Sequence, residues 1–85
     1  MAYTVRYTTT AASEFAKLEK ADQKRIKARV DKLTENPRPD GVKKLKGRED
    51  SYRIRVGDYR VIYEIQDQEL LVIVVTVAPR NEAYR

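Results

Sequence analysis

Residues 52–65 read Tyr-Arg-Ile-Arg-Val-Gly-Asp-Tyr-Arg-Val-Ile-Tyr-Glu-Ile and decide the fold. Apolar side chains alternate with arginines before Gly57-Asp58, and they recur at every second position after it. This period of two is typical of β-strands that bury one face. A Gly-Asp pair between two such runs favours a two-residue hairpin turn. The stretch therefore predicts a β-hairpin with strands at 52–56 and 59–65.

Two further strands are predicted from the segments outside this hairpin. After a polar turn at 66–68, residues 69–78 are nearly all Leu, Ile and Val, as expected for a strand central in its sheet, and Pro79 ends the run. Near the N-terminus, residues 3–7 alternate Tyr, Val and Tyr with Thr and Arg. That alternation predicts a short, half-buried strand.

Two helices are predicted between the first strand and the hairpin. A helix over 11–20 follows the hydroxyl-rich segment Thr8-Thr9-Thr10, which can supply an N-cap. A second helix starts with Asp22 as its cap and carries one apolar stripe at i, i+4 and i+7, formed by Ile26, Val30 and Leu33. Its remaining basic residues fit a solvated surface, which is commoner on such helices than a binding patch. Residues 36–41 contain two prolines and a glycine, so an irregular loop is expected there.

The order β-α-α-β-β-β predicts an α+β fold. Two N-terminal helices should pack on one face of a largely antiparallel four-stranded sheet. With 85 residues the chain should form one domain over 1–85. A domain with a single core usually has about 100 to 150 residues, so this chain has no room for a second domain. Strand alternation then sends Arg53 and Arg55 to the sheet face away from the helices. Arg60 can join them there if the hairpin register allows.

Composition narrows the possible chemistry. The chain has no Cys and no His, which excludes disulfides, Cys/His zinc sites, thiol nucleophiles and imidazole acid–base catalysis. Any reaction must use Arg, Lys, Tyr or carboxylate side chains, and no metal or cofactor is expected. The 18 Lys and Arg residues exceed the 13 Asp and Glu residues, giving a net charge of +5. Most of this excess lies within 43–60, which favours a polyanionic partner, although charge alone fits a solvated surface about equally well.

Hydropathy gives an expectation about location. The N-terminus lacks the apolar core of a signal peptide, and the longest apolar run, at 70–75, is far shorter than the about 20 residues that span a bilayer. A cytoplasmic protein without membrane contact is therefore expected.

Three segments together resemble the RelE toxins of the RelE/ParE superfamily. They are Val-Lys-Lys-Leu-Lys-Gly at 42–47, the hairpin at 52–65, and Val-Ala-Pro-Arg-Asn-Glu-Ala-Tyr-Arg at 77–85. With matching helices upstream, the resemblance covers almost the whole chain. Such proteins are the toxins of bacterial and archaeal toxin–antitoxin pairs. RelE-like members cleave mRNA in the ribosomal A site, whereas ParE-like members poison DNA gyrase. The resemblance implies two partners, a RelB-like cognate antitoxin and the 70S ribosome with its mRNA.

The resemblance also implies a catalytic set of basic and tyrosine residues, namely Arg53, Arg55, Arg60, Arg80 and Tyr84. Arg53 and Arg55 occupy positions where RelE-type members often carry lysines, and an arginine cannot give up a proton as a lysine can. Arg60 and Arg80 match arginines around the scissile phosphate. Tyr84 matches the C-terminal tyrosine of the family and is the best candidate for a base or a stacking platform. Additional RNA contacts are expected from Lys43, Lys44, Lys46, Arg48 and Arg85.

Several alternatives remain open at this level. Each arginine taken alone is explained more simply as a surface charge, and without the resemblance Tyr84 would be expected to pack on the sheet. Ala78-Pro79 replaces the Gly-His of many bacterial relatives, so any role of that histidine is absent. Because the sequence ends at Arg85, no counterpart of the C-terminal helix of some members is expected.

The favoured hypothesis is a ribosome-dependent, metal-independent endoribonuclease that cleaves by 2′-hydroxyl attack. A ParE-like gyrase inhibitor and a non-catalytic RNA binder are the alternatives, and fold alone cannot separate the three.

Overall fold

The computed structural model describes residues 2–45, 47 and 50–79. These residues form two helices on one side of a five-stranded sheet, with strand order β1-β5-β4-β3-β2. Strands β1 and β5 are parallel, and the other neighbouring strands are antiparallel. The elements are β1 Thr4–Tyr7, α1 Thr9–Ala16, α2 Lys20–Lys32, β2 Lys43–Lys44, β3 Ser51–Val56, β4 Tyr59–Gln66 and β5 Leu71–Pro79. The predicted α+β class and the packing of both helices against one sheet are confirmed.

The predicted count of four strands is wrong, because Lys43–Lys44 forms the additional strand β2. Lys43 pairs with Arg53 and Lys44 with Tyr52. A strand of two residues has no hydrophobic alternation, so periodicity could not reveal it. β2 covers only part of β3 and places one of its two lysines on each face of the sheet.

Helix α1 is shorter than predicted. It starts at Thr9, where the Thr8 hydroxyl caps the helix by accepting a hydrogen bond from the Ala11 amide at 3.0 Å. It ends at Ala16 rather than at residue 20, because the Gln23 side chain of α2 binds carbonyl groups at the end of α1. The acceptors of Gln23 Nε2 include the carbonyls of Phe15 in α1 at 3.0 Å and of Leu18 in the turn that follows at 3.1 Å. A side chain from another element thus satisfies backbone groups that a longer helix would use internally.

Helix α2 starts two residues before its predicted cap. Glu19 is the N-cap residue, and Asp22 lies within the first turn, where a carboxylate interacts favourably with the helix dipole. The predicted apolar stripe is confirmed, since Ile26, Val30 and Leu33 are all buried. These side chains pack against the helix-facing side of the sheet, and burying each of them stabilises the fold by about 1.5–3 kcal/mol. The strand residues of this core are Ile54, Val56, Val61, Tyr63, Ile65, Val72, Val74 and Val77.

Strand β5 lies between β1 and β4, with bounds shifted from the predicted 69–78. Residues 67–70 form the preceding turn, in which Leu70 has a φ of 51°. A bulge interrupts the pairing with β4 near Val75. Beyond the end of β1, the Val77 amide donates to the Glu14 carboxylate at 3.0 Å, so a side chain of α1 provides the hydrogen-bond acceptor for this backbone amide.

No helix within the described residues is long and apolar enough to cross a membrane.

Candidate nucleic-acid interface

Four cationic side chains lie together on the sheet face that points away from the helices. The register places Arg55 opposite Arg60, and it places Arg53 opposite Lys43. Directly opposed residues in antiparallel strands have Cβ atoms about 4.5–5.5 Å apart. Three adjacent strands therefore bring these four residues into one cluster, the basic patch.

A shallow depression of about 370 Å³ coincides with the basic patch. All four residues of the patch line it, together with Gly41 and Ile54. Gly41 has a φ of +87°, which residues with a side chain rarely adopt, so the loop before β2 depends on glycine at this point. The depression can hold a phosphate group with part of its sugar, surrounded by guanidinium and ammonium groups.

The three arginines of the basic patch differ in exposure. Arg55 is exposed and Arg53 is half-buried, whereas Arg60 is only 3% exposed. A guanidinium group is effectively always charged, and a buried one has lost most of its rotamer freedom during folding. Arg60 is therefore a buried, fixed cation beside two more exposed ones.

Electrostatics make the basic patch costly for the isolated sheet. Like charges directly opposite each other on neighbouring strands are destabilising, and the patch contains two such pairs. The carboxylate of Glu64 lies on the same face, opposite Ser51 and diagonal to Arg53. A bound phosphate would lower the repulsion within each pair, and Arg can hold two phosphate oxygens at once.

The other residues predicted to contact RNA are not all brought to this patch. Lys44 pairs with Tyr52 and lies on the opposite face of the sheet from Lys43. The remaining predicted site residues fall outside the described part of the chain; they are Lys46, Arg48, Arg80, Tyr84 and Arg85.

Sequence reasoning missed a polar cluster that supports the loop leading into the patch. Arg38 donates two hydrogen bonds to the Asp67 carboxylate, at 3.1 and 2.8 Å, and a third to the Tyr52 hydroxyl at 3.2 Å. Its guanidinium also lies 5.3 Å from the centre of the Tyr52 ring. On the far side, the Tyr3 hydroxyl donates to Asp67 at 2.7 Å. These residues lie far apart in the sequence, and no local pattern identifies them as a group.

The cluster changes the acidity of its members. Hydrogen bonds from Arg38, and then from Tyr3, hold the pKa of the Asp67 carboxyl below its usual range. The hydrogen bond that the Tyr3 hydroxyl donates to Asp67 raises the pKa of Tyr3, because ionisation would remove the donated proton, and the nearby carboxylate charge adds to this effect. Asp67 thus stays ionised over the physiological range and keeps Arg38 in place. The loop 36–42, which includes Gly41 and precedes Lys43, is anchored in consequence.

Acidic side chains form no comparable cluster. Across residues 2–45, 47 and 50–79, no group of three or more Asp and Glu side chains is close enough together to hold a metal ion.

Comparisons with known proteins match the sequence and the fold of this chain. The family described as "ParE toxin of type II toxin-antitoxin system, parDE" matches residues 5–84. A RelE-like toxin protein of Escherichia coli is 33% identical over 98% of this chain and 88% of its own length. The mRNA interferase toxin RelE of Escherichia coli K12 is 29% identical over the same shares. The crystal structure of an archaeal RelE–RelB complex from Pyrococcus horikoshii OT3 gives a TM-score of 0.83 at 33% identity, covering 94% of this chain and 97% of that one.

Proposed function

The chain belongs to the RelE/ParE superfamily of toxins from type II toxin–antitoxin systems, and we propose that it is a ribosome-dependent endoribonuclease that cleaves mRNA. The observation that carries this proposal is the basic patch, in which Lys43, Arg53, Arg55 and Arg60 surround one depression. A relative that is 29% identical is named an mRNA interferase toxin, which supports RNA as the substrate.

The reaction is attack of a ribose 2′-hydroxyl on the adjacent 3′-phosphate. The 2′-oxygen–phosphorus bond forms as the bond from phosphorus to the 5′-oxygen breaks, leaving a 2′,3′-cyclic phosphate and a 5′-hydroxyl. This reaction needs a base for the 2′-hydroxyl, cations for the negative charge on the five-coordinate phosphorus, and a proton for the leaving oxygen. The arginines of the basic patch fit the second task, so the proposed reaction draws its charge stabilisation from the protein and not from a metal ion.

Arg60 is proposed as the principal electrostatic residue. Because it is buried, its guanidinium needs little reorganisation when charge develops on the phosphate. Arg53 and Arg55 are proposed to grip the RNA backbone on either side. Arg80 and Tyr84 complete the proposed set through their match to family positions, with Tyr84 as base or stacking platform.

The ribosome enters the proposal because the patch is shallow and the chain has no histidine. The protein alone supplies cations but does not fix the 2′-hydroxyl in line with the leaving oxygen. Holding reacting groups in line contributes several kcal/mol to catalysis. We therefore expect purified RNA to be cut poorly and mRNA on ribosomes to be cut well.

A cognate antitoxin is the second proposed partner. The related toxin from Pyrococcus horikoshii was solved in complex with its RelB antitoxin. An antitoxin that places acidic side chains over the basic patch would complement its charge and block RNA from entering.

The test is cleavage of a defined mRNA on programmed ribosomes, read by primer extension. The parent protein should give discrete truncations, and Arg55→Ala should reduce them strongly. Arg6→Ala is the matched control, because Arg6 is an exposed arginine on the same sheet face but lies on the opposite edge strand, opposite Ile73. The proposed reaction does not use a catalytic Mg²⁺ ion. Truncation of the mRNA should therefore persist when Ca²⁺ replaces Mg²⁺ in holding the ribosomes together.

Two other outcomes would replace the proposal. Intact messages together with gyrase-dependent DNA breaks would support the ParE-like function. Tight ribosome binding without truncation would support a non-catalytic RNA binder.

A further inference from the structure

The basic residues of helix α2 divide between two flanks of its buried stripe. The helix contains six basic and two acidic residues. Because successive residues are rotated by about 100°, one flank carries Arg25, Arg29 and Lys32, again at i, i+4 and i+7. The other flank carries Lys20, Lys24 and Lys27.

The first flank contacts the hairpin that carries the basic patch. Arg29 Nη1 donates to the backbone carbonyl of Arg55 at 3.5 Å. Arg25 Nη1 lies over the hairpin turn, 3.7 Å from where a Cβ would stand on Gly57. Strand β2 stops short of Arg55, so in the described part of the chain Arg29 takes the place of a pairing strand along this edge of β3. The positive charge of the patch therefore continues around the sheet edge onto the helix.

The second flank is different, because Lys27 is paired there with Asp31 at 3.0 Å. Lys27 and Asp31 also line a depression with Val5, Tyr7 and Phe15, and no residue of the hairpin lines it. On the first flank, Asp22 lies against the Tyr59 hydroxyl and one turn away from Arg25. The two flanks thus carry the same number of cations but differ in their continuity with the basic patch.

We propose that Arg25, Arg29 and Lys32, the α2 stripe, form a second RNA-binding surface that contacts the sugar–phosphate backbone of a ribosomal RNA helix. This inference rests on the proposed function, which brings the protein to the ribosome. The stripe spans about 10 Å along the helix axis and contains three cations and no aromatic side chain. Duplex RNA is recognised mainly through its backbone and shape, whereas single strands are bound by stacking on aromatic rings. The chemistry of the stripe therefore fits a duplex better than the mRNA strand.

The experiment measures binding to purified ribosomes as a function of KCl concentration. The double variant Arg25→Gln/Lys32→Gln removes two charges from the stripe and keeps Arg29, which bonds the Arg55 carbonyl. Each lost phosphate contact reduces the slope of log affinity against log salt by about 0.9, so the slope should fall by roughly two. The matched control Lys20→Gln/Lys24→Gln removes the same charge from the other flank and should keep the parent slope. Thermal unfolding of both variants verifies that they are folded.

Equal slope losses in both variants would overturn the inference, because the effect would then be one of net charge. It would also be overturned if the stripe variant bound ribosomes like the parent but lost affinity for the antitoxin, since the surface would then serve a protein partner. A short RNA duplex and a single strand of equal length provide a second readout, and only the duplex should lose affinity in the stripe variant. The proposed function fails separately: a parent that never truncates mRNA but shows the stripe-dependent slope leaves this inference standing.

Discussion

Arg55 and Arg60 lie directly opposite each other across the β3–β4 hairpin, so one strand pair carries two cations at neighbouring positions. One of them is exposed and the other is buried. Lys43 and Arg53 form a second pair of directly opposed cations on the next pair of strands. A sheet selected only for stability would avoid such pairs, because like charges in direct opposition destabilise it. Their repetition around one depression supports the proposal that this site binds an anionic ligand.

Replacing Arg55 by Thr should increase stability while reducing RNA cleavage. The change removes the repulsion with Arg60 and introduces a residue that favours strands, so a gain of about 0.2–1 kcal/mol is expected. Urea unfolding at low salt measures it, and the gain over the parent should shrink as salt screens the repulsion. Arg6→Thr, which opposes Ile73 instead of a cation, should bring no salt-dependent gain. A less stable Arg55→Thr variant would contradict the claim that repulsion between Arg55 and Arg60 destabilises the fold.

Arg60→Lys tests whether the buried cation acts through its geometry. Lysine keeps the charge but presents a point charge in place of a planar fork, so two-point contact with a phosphate is lost. Single-turnover cleavage on ribosomes should fall, and Arg60→Ala should lower it by roughly 10²- to 10³-fold, the loss typical of one oxyanion donor. Ribosome affinity should change much less. A Lys variant with full activity would show that charge alone is sufficient.

The proposed roles of Arg80 and Tyr84 separate in the same assay. Arg80→Ala should lower the cleavage rate by roughly 10²- to 10³-fold, with partial recovery in Arg80→Lys. Tyr84→Phe keeps the ring and removes the hydroxyl. A base role predicts a loss of about 10²-fold or more, whereas a stacking role predicts little change. Parent-like rates in both Arg80→Ala and Tyr84→Phe would mean that the basic patch only docks RNA.

The contacts of Asp67 should make the free energy of unfolding depend on pH in the acid range. The folded state lowers the pKa of Asp67, so its contribution is fully present above the ordinary aspartate value of about 3.9 and is lost as pH falls through the lower folded value. Asp67→Asn should therefore reduce the decline in unfolding free energy on acidification. Urea titrations across this range measure the effect, with Asp40→Asn as a control for an exposed carboxylate near Arg38. If the unfolding free energy declined equally with falling pH in the parent and in Asp67→Asn, ionisation of Asp67 would not contribute to acid stability.

Tyr63 should limit stability at alkaline pH. Burial raises its pKa, so the folded state keeps the proton above about pH 10, where unfolded tyrosines ionise, and stability should fall as pH rises further. Tyr63→Phe should flatten this alkaline decline. At neutral pH it should cost about 1–3 kcal/mol, because the buried hydroxyl donates to the Pro37 carbonyl at 2.7 Å. Chemical denaturation at neutral and alkaline pH measures both effects, and an unchanged alkaline slope would assign the decline to other groups.

Local pattern was sufficient for the hairpin and for the core of α2. The predicted strands at 52–56 and 59–65 agree to within one residue with Ser51–Val56 and Tyr59–Gln66. Alternation also determines that Arg53 and Arg55 share a face, because the side-chain period of a strand is two whatever its neighbours are. Helix ends were predicted less well, since α1 ends where the Gln23 side chain of α2 binds its last carbonyl groups.

Only the tertiary structure decided which charges meet. It placed Lys43 in the basic patch and Lys44 on the other face, and it buried Arg60 while leaving Arg55 exposed. It also brought Arg38 to Asp67 across 29 positions of sequence and Arg29 to the Arg55 carbonyl across 26. Periodicity reports which side of its own element a residue occupies, and it carries no information on the register or approach of a distant element. Those depend on how the helices and strands pack together, and that packing converts scattered basic residues into one continuous surface.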